Sequence, residues 1–335
     1  MKKNFALLLS VAFLLAVVTA GVAAADPVTL KYASFVPKVT FVGAQLERWK
    51  AEVEKRTGGK VKINAFHAGT LLGGKDMMDG VIAGTSDIGC LCMAYQPGRF
   101  VVTNATSLPL GFPNALVASR TLWDLYNKYK PKSFDKVKVL SMFTCGPSNI
   151  MSKVPVRKLA DMKGLDLRAS GGAAAILKAW GANQIGMPMS AVPEALQKGV
   201  VKGLFTSLEV LKDFKFAELC KFVTVTDTVI YPFAVVMNKA KWDALPDDVK
   251  KVLDGLAKDQ CVWTGTYMDQ HVKESLDWSV KTQKVEVIKL SPETKAKWDK
   301  LLAPITAAWI KKVSAKGVKG AAIVDDIKAM MKKNM

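Results

Sequence analysis

Short apolar or β-branched runs alternate with helix-length segments from Val28 to Met237, and this alternation constrains the fold more than any other feature of the chain. The strand candidates are Val28 to Phe35, Val61 to Phe66, Ile88 to Met93, Val137 to Met142, Leu165 to Ala169, Gly203 to Thr206, Phe222 to Val225 and Phe233 to Met237. Between them the spacing predicts helices over Thr40 to Thr57, Lys75 to Ala83, Ala115 to Tyr129, Gly172 to Trp180 and Ala191 to Lys198, the first stopped by Gly58-Gly59. Strands and helices in this order point to an α/β fold. After Met237 the pattern changes. Helical periodicity runs from Lys239 to about Lys284, broken by Pro246, then over Pro292 to Lys312 and Val324 to Lys333, with Val285 to Leu290 as a last strand candidate. A helical tail on an α/β body suggests segments that cross between lobes and brace them. The chain has no internal repeat and no low-complexity tract.

The 335 residues are 50% hydrophobic and 23% charged, which excludes a disordered or fibrous protein and suggests about two domains. Five cysteines, Cys90, Cys92, Cys145, Cys220 and Cys261, are too few and too scattered for a disulfide framework. Lys2 and Lys3 precede an apolar run from Phe5 to Val18, and Gly21 to Ala25 offers small residues for cleavage. Residues 1–25 therefore read as a secretory signal peptide, with the mature chain starting at Asp26 and acting in the periplasm. A membrane anchor would need about twenty apolar residues.

Setting Lys2 and Lys3 aside leaves 46 Lys and Arg against 29 Asp and Glu, a net charge of +17. Only six of the basic residues are Arg (Arg48, Arg56, Arg99, Arg120, Arg157, Arg168), whereas nucleic-acid readers lean on Arg forks and aromatic platforms. The lysines lie on amphipathic segments and read as solvated helix faces, so no nucleic-acid partner is expected. A basic exported surface suits the capture of anions.

Catalytic signatures are absent. There are two histidines, His67 and His271, and no HExxH, GxSxG or CxxC pattern, so an enzyme is disfavoured and neither cofactor nor metal is expected. His67 reads as a locally satisfied loop residue or a ligand contact, and Gly73-Gly74-Lys75 as a turn into a helix. Cys90 and Cys92 alternate on a strand and face one side, lining either core or pocket. The segment Lys158 to Gly172 is the most informative, because it sets Arg168 at the C-terminal end of an apolar strand, before a small-residue turn and a helix. Ligands of α/β sheets collect outside such strand ends. An arginine there offers a planar fork to a carboxylate, the alternative being a pair with a protein acid.

Six stretches, in this order and spacing, are similar to the DctP-type extracytoplasmic solute-binding proteins of tripartite ATP-independent periplasmic (TRAP) transporters. They are Leu30 to Phe35, Thr57 to Ile63, Gly84 to Gly89, Pro97 to Phe100, Leu159 to Arg168 and Val236 to Pro246. The resemblance implies a two-lobed periplasmic-binding-protein-like fold with crossover strands, a long hinge helix and a helical C-terminal tail. Residues 26–146 plus about 234–273 would form lobe I, and 147–233 plus about 274–335 lobe II. It also implies closure on a small organic anion that is delivered to the small and large membrane subunits, and an arginine, here Arg168, that clamps the ligand carboxylate. A monomer is the default.

Alignment with the family places Phe35, Gly74, Leu91, Cys92, Tyr95, Ser148, Asn149, Gly171, Gly172, Met189, Ser190 and Thr206 around the cleft. Members built for sialic acid hold polar or charged groups at several places that here read Phe35, Gly74, Cys92, Ser148 and Thr206. A pocket of this kind satisfies few ligand hydroxyls, which favours a monocarboxylate with an apolar body, an aromatic or a small branched 2-oxo acid. Tyr231 and Phe233 could add to an aromatic wall or simply fill the core. A dicarboxylate or phosphate ester is the alternative within the class. An exported enzyme with Cys92 or Cys145 as nucleophile is the alternative outside it.

Overall fold

The computed structural model describes residues 26–335, so the expected signal peptide lies outside the described residues. Two sheets carry the fold. The first has the order β2-β1-β3-β10-β4, built from β1 (Val28–Ser34), β2 (Val61–Phe66), β3 (Ile88–Cys92), β4 (Val137–Thr144) and β10 (Pro232–Asn238). The second has the order β11-β9-β5-β8-β6-β7, from β5 (Asn149–Ser152), β6 (Asp166–Arg168), β7 (Asn183–Ile185), β8 (Gly203–Thr206), β9 (Phe222–Val225) and β11 (Glu286–Lys289). β1 pairs in parallel with β2 and β3, whereas β10 runs antiparallel to β3 and β4.

Two short segments carry the chain between the sheets, and the helix leading from β10 to β11 makes a third passage. β4 leads through 145–148 into β5, and 226–231 returns from β9 to β10. These crossings pair with each other: Cys145 N–H donates to Tyr231 O (3.1 Å), Ser148 N–H to Val229 O (2.7 Å) and Thr228 N–H to Ser148 O (3.2 Å). The result is a two-segment ribbon joining the two sheets.

A 37-residue helix, Asp247–Gln283, spans both. At 1.5 Å per residue it is roughly 55 Å long. Pro246 closes off the preceding helix, Asp247 and Asp248 complement the positive N-terminal end of the dipole, and Lys284 ends the helix in a left-handed conformation (φ 57°). Toward its start Ala257 O accepts from Ser141 Oγ (2.9 Å) and Gln260 Nε2 donates to Gln45 O (2.9 Å), both on the side of the first sheet. Further along, His271 reaches Asp213 on the side of the second.

The anticipated elements are present with small shifts of their ends, and four details differ. β5 and β7 carry too little strand signal to have been expected: β5 is four residues long with Ile150 its one β-branched member, and β7 is a polar three-residue edge strand, Asn-Gln-Ile. The helical stretch from Pro292 divides into Pro292–Lys300 and Ala303–Ser314, with Pro304 in the first turn of the second helix. The strand around Arg168 is confined to three residues, β6. Among the described residues no helix is long and apolar enough to cross a membrane.

Candidate functional site

The C-terminal ends of β1, β3, β6 and β8 converge on a cavity between the two sheets, floored by the crossover ribbon. Its empty volume is about 480 Å³. The slot lies between the ends of the two sheets. Its wall is aromatic: Phe35 and Tyr95 meet edge-to-face at 5.5 Å, Phe41 meets Phe233 edge-to-face at 5.3 Å, and Phe233 stacks on Phe143 at 5.5 Å. Gly74 leaves room for the first pair, since a Cβ there would come within 3.1 Å of the Tyr95 ring and 3.3 Å of Phe35.

Arg168 ends β6 and is 2% exposed. Its Nε and Nη2 donate to Met187 O (3.0 and 2.8 Å), and Nη2 donates to Ser170 Oγ (2.9 Å). None of these bonds uses Nη1, and among the described residues no carboxylate lies within ion-pairing distance of the guanidinium. The pair with a protein acid that the residue pattern left open is therefore not made. A buried cation without a counter-charge is costly.

Two contacts tie the sheets together at this site. Tyr95, in the turn after β3, accepts at its hydroxyl from Met189 N–H (3.0 Å). Burial pushes the Tyr95 phenol up to about 12, with Cys92 adding to the rise and the Arg168 charge opposing it. Asp213, at the end of helix Val210–Asp213, accepts from Phe41 N–H (3.1 Å) at the start of helix Phe41–Arg56 and pairs with His271 Nε2 (2.6 Å). Tyr231 donates its hydroxyl hydrogen to Phe205 O (3.1 Å) and so holds the turn after the crossover.

The cavity brings together Phe35, Cys92, Tyr95, Arg168, Met189, Thr206, Tyr231 and Phe233 of the residues expected around the cleft. Seven others, Gly74, Leu91, Ser148, Asn149, Gly171, Gly172 and Ser190, lie outside its lining. Asn149 spends its side chain on the 226–227 turn, accepting from Thr226 N–H (2.7 Å) and Asp227 N–H (3.0 Å). Ser148 sits in the crossover ribbon, fully buried. Gly171, at φ 55°, packs outside the cavity against Ala94, where a Cβ would come within 3.1 Å, and Ser190 is exposed at the start of a helical turn. Gly172 and Leu91 also lie outside the lining, and His67 pairs with Glu47 at 2.8 Å, away from the site.

The lining also holds Thr40, Phe41, Val42, Ser170, Glu209, Asp213 and Phe214, which the residue pattern did not single out. Glu209 and Asp213 could have been found: they follow β8 directly, at a strand end where ligands gather.

The family model described as bacterial extracellular solute-binding protein, family 7 (DctP), matches residues 32–312. The 2,3-diketo-L-gulonate-binding periplasmic protein YiaO of Escherichia coli is 30% identical over 66% of this chain and 68% of its own length. A TRAP periplasmic solute-binding protein from Desulfovibrio salexigens, solved in an open form, is 52% identical, with TM-score 0.82 over 92% of this chain and 97% of its own. A TRAP solute-binding protein from Rhodoferax ferrireducens, solved with copurified benzoate, has TM-score 0.88 at 26% identity over 92% of this chain and 98% of its own. The chain belongs to the DctP family of TRAP-type extracellular solute-binding proteins.

Proposed function

We propose that the chain is the periplasmic receptor of a TRAP-type secondary transporter for a small organic monocarboxylate, with an aromatic or branched 2-oxo body, bound by Arg168 and enclosed when the two bodies close. The observation that carries this reading is the buried Arg168 guanidinium, which lines an aromatic slot and has no protein carboxylate beside it. Residues 26–146 with about 234–273, and 147–233 with about 274–335, are the bodies that would move, the crossover ribbon flexing between them. The slot favours a flat acid over a polyhydroxylated one, and the benzoate-bound relative supports the same choice. Among the described residues Arg168 is the one cation lining the slot, and Glu209 and Asp213 add negative charge, so a dicarboxylate or phosphate ester fits less well. The transporter's small and large membrane subunits would receive the ligand.

A thermal-shift screen of the chain from Asp26, at fixed ionic strength, tests the reading. An aromatic or branched monocarboxylate at a hundred times its dissociation constant should stabilise the fold by about 2.7 kcal/mol. Sugar acids, dicarboxylates and phosphate esters should not. Stabilisation by sugar acids or phosphate esters alone would overturn the apolar-ligand reading.

The receptor is non-enzymatic in this reading, and the state of the thiols supports that. All five cysteines are buried and unpaired by disulfides. Burial pushes Cys92, Cys220 and Cys261 up to about 12, and Cys90 and Cys145 well above the ordinary thiol value. Thiolate is the nucleophile, so these groups are inert at neutral pH. Iodoacetamide at pH 7.5 should label none of them in the native chain and all of them after unfolding. Fast native labelling of Cys92 or Cys145 would count for the enzyme alternative.

A further inference from the structure

Glu209 opens the helical turn after β8, its carbonyl accepting from Lys212 N–H (3.1 Å) and Asp213 N–H (3.0 Å), and it lines the slot. The residue is 2% exposed, and its Oε2 is buried with no hydrogen-bond partner among the described residues. An unpartnered buried carboxylate oxygen is expensive and persists where something else satisfies it. Its neighbours differ from those of Arg168. Glu209 shares a helical turn with Asp213, which bonds Phe41 N–H and His271, whereas the Arg168 guanidinium bonds Met187 O and Ser170 Oγ.

We infer that Glu209 is the specificity-determining acceptor of the slot, selecting carboxylic acids that carry a hydrogen-bond donor, a hydroxyl or ring N–H, on the part of the body away from the carboxylate. The inference rests on the carboxylate-receptor reading and narrows it. An unsubstituted aromatic acid would leave Oε2 unpaired inside the closed site, whereas a hydroxylated one would satisfy it. Burial, opposed by the neighbouring Ser207 hydroxyl and helped by Asp213, raises the Glu209 carboxyl to about 7, so both protonation states are accessible near neutrality and the ionised one gains most from a donor. Sites built to bond a ligand hydroxyl reject analogues that lack it far more strongly than apolar sites reject an extra methyl.

The test is a titration of the chain from Asp26 with matched pairs: 3- and 4-hydroxybenzoate against 3- and 4-methylbenzoate, and indole-3-acetate against its N-methyl analogue, with benzoate as reference. At least one donor-bearing acid should bind ten-fold or more tightly than its methylated partner. Glu209→Leu should bring that ratio to one or below, and Glu209→Gln, which keeps a carbonyl acceptor in the same shape, should hold it between the two. Equal affinities within every pair in the unmodified chain would overturn the inference, as would a ratio that survives Glu209→Leu. If neither benzoate nor any other acid binds, the failure lies with the carboxylate-receptor reading instead.

Discussion

Arg168→Ala is expected to weaken binding of the organic acid by about two to three and a half orders of magnitude. Removing one partner of a buried ion pair costs about 3–5 kcal/mol, because the remaining charge is left desolvated and unpaired, and each 1.4 kcal/mol is about a factor of ten. Part of the loss would be architectural. Nε and Nη2 hold Met187 O and Ser170 Oγ, and the next contact along that segment, Met189 N–H to the Tyr95 hydroxyl, joins the two sheets across the slot. Arg168→Lys separates the two contributions, since lysine restores a charge but not the planar fork. Its affinity should fall between those of arginine and alanine. A fork contact to a ligand needs Nη2 as well as Nη1, so Ser170 Oγ must yield when the acid enters, and Ser170→Ala should leave affinity within about three-fold of the unmodified chain, within the ordinary spread of a neutral hydrogen bond. Isothermal titration with the best acid from the screen measures all three variants. Full affinity in Arg168→Ala would remove Arg168 from the site.

Arg168 was legible because its neighbours in sequence are its neighbours in function: an apolar strand before it and a small-residue turn after it fix where the side chain emerges. Phe35, Cys92 and Thr206, which the family resemblance supplied, also stand at strand ends. Local logic fails where an element is claimed by a partner far along the chain. Ser148 directly precedes β5 and Asn149 begins it, yet the returning crossover at 226–229 takes their hydrogen bonds. Phe41 enters the slot because helix Phe41–Arg56 starts against Asp213, a contact across 172 positions that no local pattern encodes. The α/β class was readable from the alternation of segments and the two-lobed division from the family resemblance, while β5 and β7 were not, because sheet neighbours rather than their own residues make them strands.

Asp213→Ala should be among the most destabilising changes near the slot. The carboxylate is a node for three elements: its own helix, the start of Phe41–Arg56 through Phe41 N–H, and the long helix through His271, with both side chains of the ion pair largely buried. Leaving His271 and the Phe41 N–H without their acceptor should cost about 3–5 kcal/mol. The pair also sets a pH dependence. Burial alone would lower the His271 pKa, but the hydrogen bond and charge of Asp213, helped by Glu209 and opposed by Lys212, leave it raised. Stability from a raised histidine is complete below its unfolded value of about 6.5 and is lost as pH climbs through the higher folded one. Glu209 acts in the same direction, because a carboxyl raised to about 7 holds its proton in the folded chain where the unfolded chain has already released it. Tyr267 stacks on His271 at 5.3 Å, and burial, with Asp213 adding to it, raises its phenol, so it stays neutral throughout this range. The melting temperature of the ligand-free chain should therefore decline from pH 5 to pH 8 beyond what the remaining groups contribute. Asp213→Asn keeps an acceptor for Phe41 N–H but removes the charge, so it should flatten that decline while costing less stability than alanine. A melting profile that falls as steeply in Asp213→Asn as in the unmodified chain would show that the slope arises elsewhere.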